Sequence, residues 1–123
     1  MTDVLREIPL VEPIMTVHSV TINAADPSGL AHFWARLVGG TPADSGNNFI
    51  LLDPGDNRQR LLFQQTDQTN HAPGWIHLDC STKDRDALIE AVIAGGGRLV
   101  DRRSDSLGSW IVLADPEGNL FCA

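Results

Sequence analysis

The chain repeats itself. Phe49-Ile50-Leu51-Leu52-Asp53-Pro54-Gly55-Asp56-Asn57 is echoed by Trp110-Ile111-Val112-Leu113-Ala114-Asp115-Pro116-Glu117-Gly118-Asn119. After each turn-forming stretch comes a similar apolar segment, Leu62-Phe63-Gln64 in the first copy and Leu120-Phe121-Cys122 in the second. Before each comes an extended segment, a helical segment and a run of glycines. A period of this length marks one supersecondary unit used twice. Each unit reads strand, helix, strand, strand, strand. With 123 residues in all, neither half can cover its own sheet. The two halves must therefore share one core within a single domain.

Local signals support this division. Residues 16–23 carry the β-branched Val17, Val20, Thr21 and Ile22 and read as the first strand. Asp26-Pro27-Ser28 then opens a helix, with Asp26 as N-cap and Pro27 in the first turn. Leu30, Phe33, Trp34, Leu37 and Val38 recur at helical spacing, and Gly39-Gly40 ends the run. Strands at 49–52 and 60–65 flank the turn at 53–57. The order restarts with a strand at 75–80 and a helix at 84–94 that buries Ala87, Leu88, Ala91 and Val92. Gly95-Gly96-Gly97 stops that helix, and strands follow at 98–100, 109–113 and 120–122. The glycine run follows a helix instead of preceding one, so it offers no helix N-terminus to a phosphate. The expected division is an arm at 1–14, a first module at 15–66, a linker at 67–73 and a second module at 74–123.

Composition removes several function classes. The net charge of -7 comes without a basic cluster, which argues against nucleic acid. Arg98, Arg102 and Arg103 are interleaved with Asp101 and Asp105 and read as a solvated turn. No apolar run approaches a membrane span, and the first twelve residues lack the pattern of a secretion signal. A cytoplasmic location is expected. Cys80 and Cys122 lie in apolar strand contexts and read as buried free thiols.

The doubled βαβββ pattern resembles the vicinal oxygen chelate superfamily, which includes glyoxalase I, bleomycin-resistance proteins and extradiol dioxygenases. The residues carrying the likeness are Asp26-Pro27, Leu30-Ala31, Phe33-Trp34, the double-glycine stop and Asp115-Pro116-Glu117-Gly118-Asn119. His77-Leu78-Asp79 and Phe121-Cys122 look closest to the glyoxalase-like branch. The resemblance implies an α+β fold in which two βαβββ modules form a cupped, incompletely closed mixed β-sheet with helices outside. It also implies a small organic ligand in the cup and a homodimer.

Metal-dependent members hold a divalent ion with four cup residues from the first and last strands of each module. Counting from the turns and helix starts places these positions at Ser19, Gln64, Trp75 and Cys122. None is a carboxylate or histidine, so no family-type metal site is expected. A zinc ion using Cys122 with His77 would depart from the family arrangement and leave the ligand set short. A one-residue shift in the first strand would bring His18 into the cup. With that shift His18 and His77 become fallback ligands for Zn, Ni, Mn or Fe.

The alternation of the strands fixes which residues share the cup. Val20, Ile22 and Ala24 face the helices, as do Ile76, Leu78 and Cys80. Ser19, Thr21 and Asn23 then line the cup with Trp75, His77 and Asp79. Gln64, Trp110 and Cys122 complete the expected substrate-binding set, with Trp75 and Trp110 as aromatic walls. His77 and Asp79, one pleat apart, are the candidate acid/base pair; the competing assignment for His77 is a hydrogen-bonded structural histidine. His32 and His71 are expected at the surface, Trp34 in the core and Glu117 in solvent.

Two functions compete. One is a lyase, isomerase or dioxygenase-type enzyme; the other is a metal-free binding or drug-sequestering protein.

Overall fold

The computed structural model describes residues 17–66 and 77–123. The expected arm at 1–14, the linker at 67–73, His71 and Trp75 lie outside the described residues. The first half contains β1 (Val20–Ala24), α1 (Pro27–Val38), β2 (Ala43–Asp44), β3 (Phe49–Leu52) and β4 (Leu61–Gln65). The second contains β5 (Leu78–Asp79), α2 (Arg85–Ala94), β6 (Arg98–Asp105), β7 (Gly108–Ala114) and β8 (Leu120–Cys122).

The repeat in sequence becomes a repeat in space. The first sheet has strand order β1-β4-β3-β2 and the second β5-β8-β7-β6. In each sheet the first and last strands of the unit pair in parallel, and the remaining pairs are antiparallel. The parallel pair requires a crossover, and the helix supplies it. Among the described residues the expected fold class is observed as two four-stranded mixed sheets with two helices, not closed into a barrel.

Both helices begin as their sequences require. The Asp26 carboxylate accepts from the Gly29 amide at 3.1 Å, and the Asp84 carboxylate accepts from Ala87 at 3.0 Å. Each satisfies one of the amides that a helix start leaves unpaired. Leu30, Ala31, Phe33 and Trp34 of α1 are buried. In α2 only Val92 is fully buried, with Leu88 and Ile89 packed against the core. Ala87 and Ala91, expected on the buried face of α2, are exposed, because the apolar stripe turns toward Ile89 instead.

One core spans both halves. Ala24, Leu52, Leu61 and Phe63 of the first sheet join Ile111, Leu113 and Phe121 of the second around Trp34 and Val92. The Trp34 ring lies 4.6 Å from that of Phe121 and 5.7 Å from that of Phe33.

The Asp115 turn locks α1 to the second half. The Asp115 carboxylate is 3% exposed. It accepts from the Trp34 indole at 3.0 Å, from the Glu117 and Asn119 amides at 2.9 Å each, and from the Asn119 side chain at 2.8 Å and 3.1 Å. Glu117 is half-buried, contrary to its expected place in solvent. Its carboxylate accepts from the Ala25 and Asp26 amides, at 2.7 Å and 2.9 Å, just before α1. An anion there is favoured by both the free amides and the helix dipole. Glu117→Ala is expected to lower stability by about 1–2 kcal/mol. Glu117→Gln, which keeps one acceptor, should recover part of that loss in chemical denaturation.

The first-half counterpart of this turn is different. Asp53 is exposed and caps the Gly55 amide at 2.9 Å while pairing with Arg60 at 3.0 Å. The Gly55 amide and the Arg60 guanidinium hold its carboxyl below the ordinary value. The structural equivalent of Trp34 in α2 is Val92, counted from the two N-caps, and valine has no polar atom to bring a carboxylate inward.

Three local expectations need correction. The arginine-rich stretch is not a turn: it forms the long strand β6, which pairs residue for residue with β7 apart from a bulge between Leu99 and Asp101. Arg103 pairs with Asp101 along it at 2.9 Å. The hairpin turns over Ser106-Leu107, and the mixed charges are solvated along both faces of the strand. A short edge strand, Ala43–Asp44, fills the remaining strand of the first unit; it carries no apolar alternation, so the sequence did not locate it. The first strand is shorter than 16–23, because its partner β4 begins only at Leu61, opposite Val20. No helix among the described residues is long and apolar enough to cross a membrane.

Candidate functional site

Strand register assigns the faces. In the first sheet Ile22 pairs with Phe63, and Phe63 with Ile50; this row enters the core. The neighbouring rows, Asn23–Gln64–Phe49 and Thr21–Leu62–Leu51, therefore point away from the helices. Ser19, Thr21, Asn23 and Gln64 lie on this outer face. Ser19 and Gln64 are half-buried; Thr21 and Asn23 are exposed.

In the second sheet Leu78 pairs with Phe121, and Phe121 with Leu113, on the core side. The next row is Asp79, Cys122 and Val112, and Trp110 follows Val112 on the same face. His77, two residues before Asp79, joins them. Its Nε2 lies 3.3 Å from the Asp79 carboxylate. His77, Asp79, Cys80, Trp110, Cys122 and Ala123 line an open depression of about 400 Å³. That volume falls within the range of roughly 300–1,000 Å³ usual for small-molecule sites.

The structure thus brings His77, Asp79, Trp110 and Cys122 together. It does not bring Ser19, Thr21, Asn23 or Gln64 into the same depression. His18 lines a separate depression of about 590 Å³ with Val17, Asp53, Arg60 and the turn at 55–59. The fallback pair of His18 and His77 therefore does not form one site among the described residues. The reason is the one-residue register: Val20, Ile22 and Ala24 go to the core, which places His18 at the strand start beside the Asp53 turn.

The cysteines depart from their expected burial. Cys80 is exposed and Cys122 half-buried, and both are free. Cys80 follows the last paired residue of β5, which is an edge strand among the described residues. Its amide still donates to the Cys122 carbonyl at 2.8 Å, which is why it reaches the rim of the depression. Sequence alternation assigned Cys80 to the helix side and missed this. Burial, followed by the Asp79 carboxylate, pushes both thiols above their ordinary value; for Cys122 the Arg103 guanidinium opposes the rise. Both are protonated at neutral pH.

A glyoxalase-like domain model matches residues 19–123, nearly all of the chain. The chain belongs to the glyoxalase-like domain family. Its fold is that of the vicinal oxygen chelate proteins. One similar structure is a glyoxalase/bleomycin resistance protein/dioxygenase family enzyme from Burkholderia phytofirmans, with TM-score 0.68 and 22% identity over 85% of this chain and 94% of that one. Another is a fosfomycin resistance protein, FosX, from Listeria monocytogenes, complexed with Mn(II) and 1S,2S-dihydroxypropylphosphonic acid. It has TM-score 0.70 and 15% identity over 89% of each chain. A third is a bleomycin resistance determinant encoded on transposon Tn5, with TM-score 0.59 and 18% identity over 88% of this chain and 95% of that one. No curated protein is similar enough to be matched.

The family-type metal site can be tested on donor chemistry. At the counted positions this glyoxalase-like chain has Ser19, Gln64 and Cys122, with Trp75 outside the described residues. A neutral hydroxyl and a neutral amide do not replace histidine and carboxylate as primary ligands. Ser19 and Gln64 also belong to the first half and are not among the described residues that line the depression of Cys122. These residues do not fit the family-type ion.

Proposed function

We propose that this glyoxalase-like protein binds a small organic molecule in the depression on its second sheet. The observation that carries the proposal is the convergence of His77, Asp79, Trp110 and Cys122 in one depression of ligand size. Trp110 offers an aromatic wall, and the His77–Asp79 pair offers a donor and an acceptor that orient a polar substituent. The donor set at the counted metal positions supports binding or sequestration over chemistry that needs a family-type ion to polarise substrate oxygens. A similar structure described as a bleomycin resistance determinant lends the same direction. A homodimer and a cytoplasmic location belong to the proposal.

A second reading rests on the 3.3 Å separation of His77 and Asp79. A carboxylate at that distance orients an imidazole for proton transfer. Ser19, Thr21, Asn23 and Gln64 remain candidates for a ligand long enough to reach the first sheet.

The test is a thermal-shift screen with bleomycin, fosfomycin and a set of flat aromatic acids. At least one compound should raise the melting temperature. Trp110→Ala should weaken that compound about tenfold, matching the roughly 1–1.5 kcal/mol of an aromatic contact. His77→Ala tests the polar side of the same site. A screen without a binder, or a binder indifferent to both substitutions, would refute the proposal.

A further inference from the structure

We propose, on the reading of the second-sheet depression as a ligand site, that Arg103 selects planar aromatic carboxylates for it. The acid group meets the Arg103 guanidinium and the ring lies on Trp110. The register of β6 against β7 places both side chains. Arg103 and Trp110 are direct partners across the two strands, and Asp101 opposes Val112. Trp110 and Val112 share the face of the depression, so Arg103 and Asp101 share it too. Directly opposed side chains have Cβ atoms about 4.5–5.5 Å apart. A ring lying on the indole therefore has its edge within reach of the guanidinium.

A β-bulge produces this placement. Leu99 pairs with Leu113 on the core side, and the register then shifts by one residue before Asp101. In an unbroken strand Asp101 and Arg103 would share the core side with Leu99. The extra residue, Val100, reverses them and sends Arg102 to the opposite face, where it pairs with Ile111. Bulges commonly re-aim a side chain beside a functional site.

The free donors set the charge of the ligand. The Asp101 carboxylate is engaged at both oxygens, by the Arg102 amide at 2.8 Å and by Arg103 Nε at 2.9 Å. Asp79 lies 3.3 Å from His77, and Asp105 accepts from the Leu107 amide at 2.8 Å. These carboxylates all have donors already. Nη1 and Nη2 of Arg103 have no acceptor among the described residues, and the side chain is half-exposed. Two parallel N–H groups on a planar fork match a carboxylate. Burial and the Asp79 carboxylate raise the Cys122 thiol while Arg103 opposes them, so the guanidinium's field reaches the depression. β6 and β5 stand at opposite ends of the strand order, three strand spacings or on the order of 14 Å apart. His77 is thus out of reach of the same carboxylate and meets a polar substituent at the far end of the ligand.

Calorimetric titration with benzoate, naphthoate and cinnamate, each beside its neutral primary amide, tests the assignment. The wild type should bind the best acid about tenfold more tightly than its amide, as charge-assisted hydrogen bonds do. Arg103→Ala should erase that preference by weakening the acid and leave the amide unchanged. Arg102→Ala, which removes the same charge from the opposite face, should preserve it. Trp110→Ala should weaken acid and amide alike. Amides that bind the wild type as tightly as the acids would overturn the role of Arg103 and leave the depression a site for uncharged ligands. A preference that survives Arg103→Ala, or that Arg102→Ala lowers equally, would overturn it as well. Binding of neither acids nor amides would overturn both the selection by Arg103 and the ligand site itself.

Discussion

Asp115→Ala is expected to destabilise the protein by about 3–5 kcal/mol, as does breaking other buried charged networks. The Asp115 carboxylate accepts from the Glu117 and Asn119 amides, the Asn119 side chain and the Trp34 indole. Removing it leaves the Trp34 N–H without an acceptor, on a side chain only 2% exposed. An unsatisfied buried donor alone costs about 1–3 kcal/mol. The turn that carries Glu117 to the start of α1 loosens as well. Trp34→Phe isolates the indole bond and should cost about 1–2 kcal/mol beyond any packing change. In an Asp115→Ala background that increment should shrink, because the two residues are partners. Urea denaturation of the four proteins measures the cycle.

The same carboxylate gives a pH signature. Burial pushes the Asp115 carboxyl above its ordinary value, against the opposing bonds from Asn119, Trp34 and Glu117. The folded protein therefore keeps a proton on Asp115 at pH values where the unfolded chain has lost it. The stability linked to this group is greatest below the unfolded-state pKa and is lost as pH rises through the folded-state pKa. Wild-type stability measured against Asp115→Asn across the acid range should show that fall. A rise with pH would mean that the hydrogen bonds outweigh burial.

The second large effect concerns a glycine. Gly40→Ala is expected to cost about 2–4 kcal/mol, combining a left-handed backbone with a contact that cannot relax. Gly40 has φ +87°, and a Cβ there would lie 2.6 Å from the Asp53 carbonyl oxygen. That oxygen belongs to the backbone after β3. Gly39 has φ +90°, and a Cβ there would meet nothing within 4 Å. Gly39→Ala should therefore cost only about 1–2 kcal/mol of backbone strain. Gly97 repeats the close approach in the second half, where a Cβ would lie 2.5 Å from the Ala114 carbonyl oxygen. Thermal midpoints of the three alanine variants should rank Gly39→Ala as the mildest at positive φ and Gly40→Ala as the most severe.

These glycines mark a boundary of what a sequence reveals. Gly39-Gly40 and Gly95-Gly96-Gly97 are legible as helix stops, and both helices do stop there. Which glycine admits no methyl group depends on a strand arriving from more than ten residues later. The candidate site divides in the same way. Alternation placed His77 and Asp79 on one face with Cys122, and the strand register agrees. Alternation did not reveal that Cys80 reaches the rim, or that His18 sits beside the Asp53 turn. Trp34 was legible as core from its spacing, but its bond to Asp115 crosses from one half to the other.

By itself the sequence determined the doubled unit, the capped helices and the faces of the main strands. Those features are set by interactions a few residues long: a capping carboxylate, a period of two, a period near four. Only the tertiary structure decided which distant groups meet. The docking of α1 on the second half turned Asp115 inward and Glu117 onto the helix start, whereas the equivalent Asp53 stayed in solvent for want of an indole partner. The pairing of β5 with β8 likewise set Cys122 beside His77 and Asp79. Such contacts depend on where whole elements pack against one another, and no local pattern in the chain carries that information.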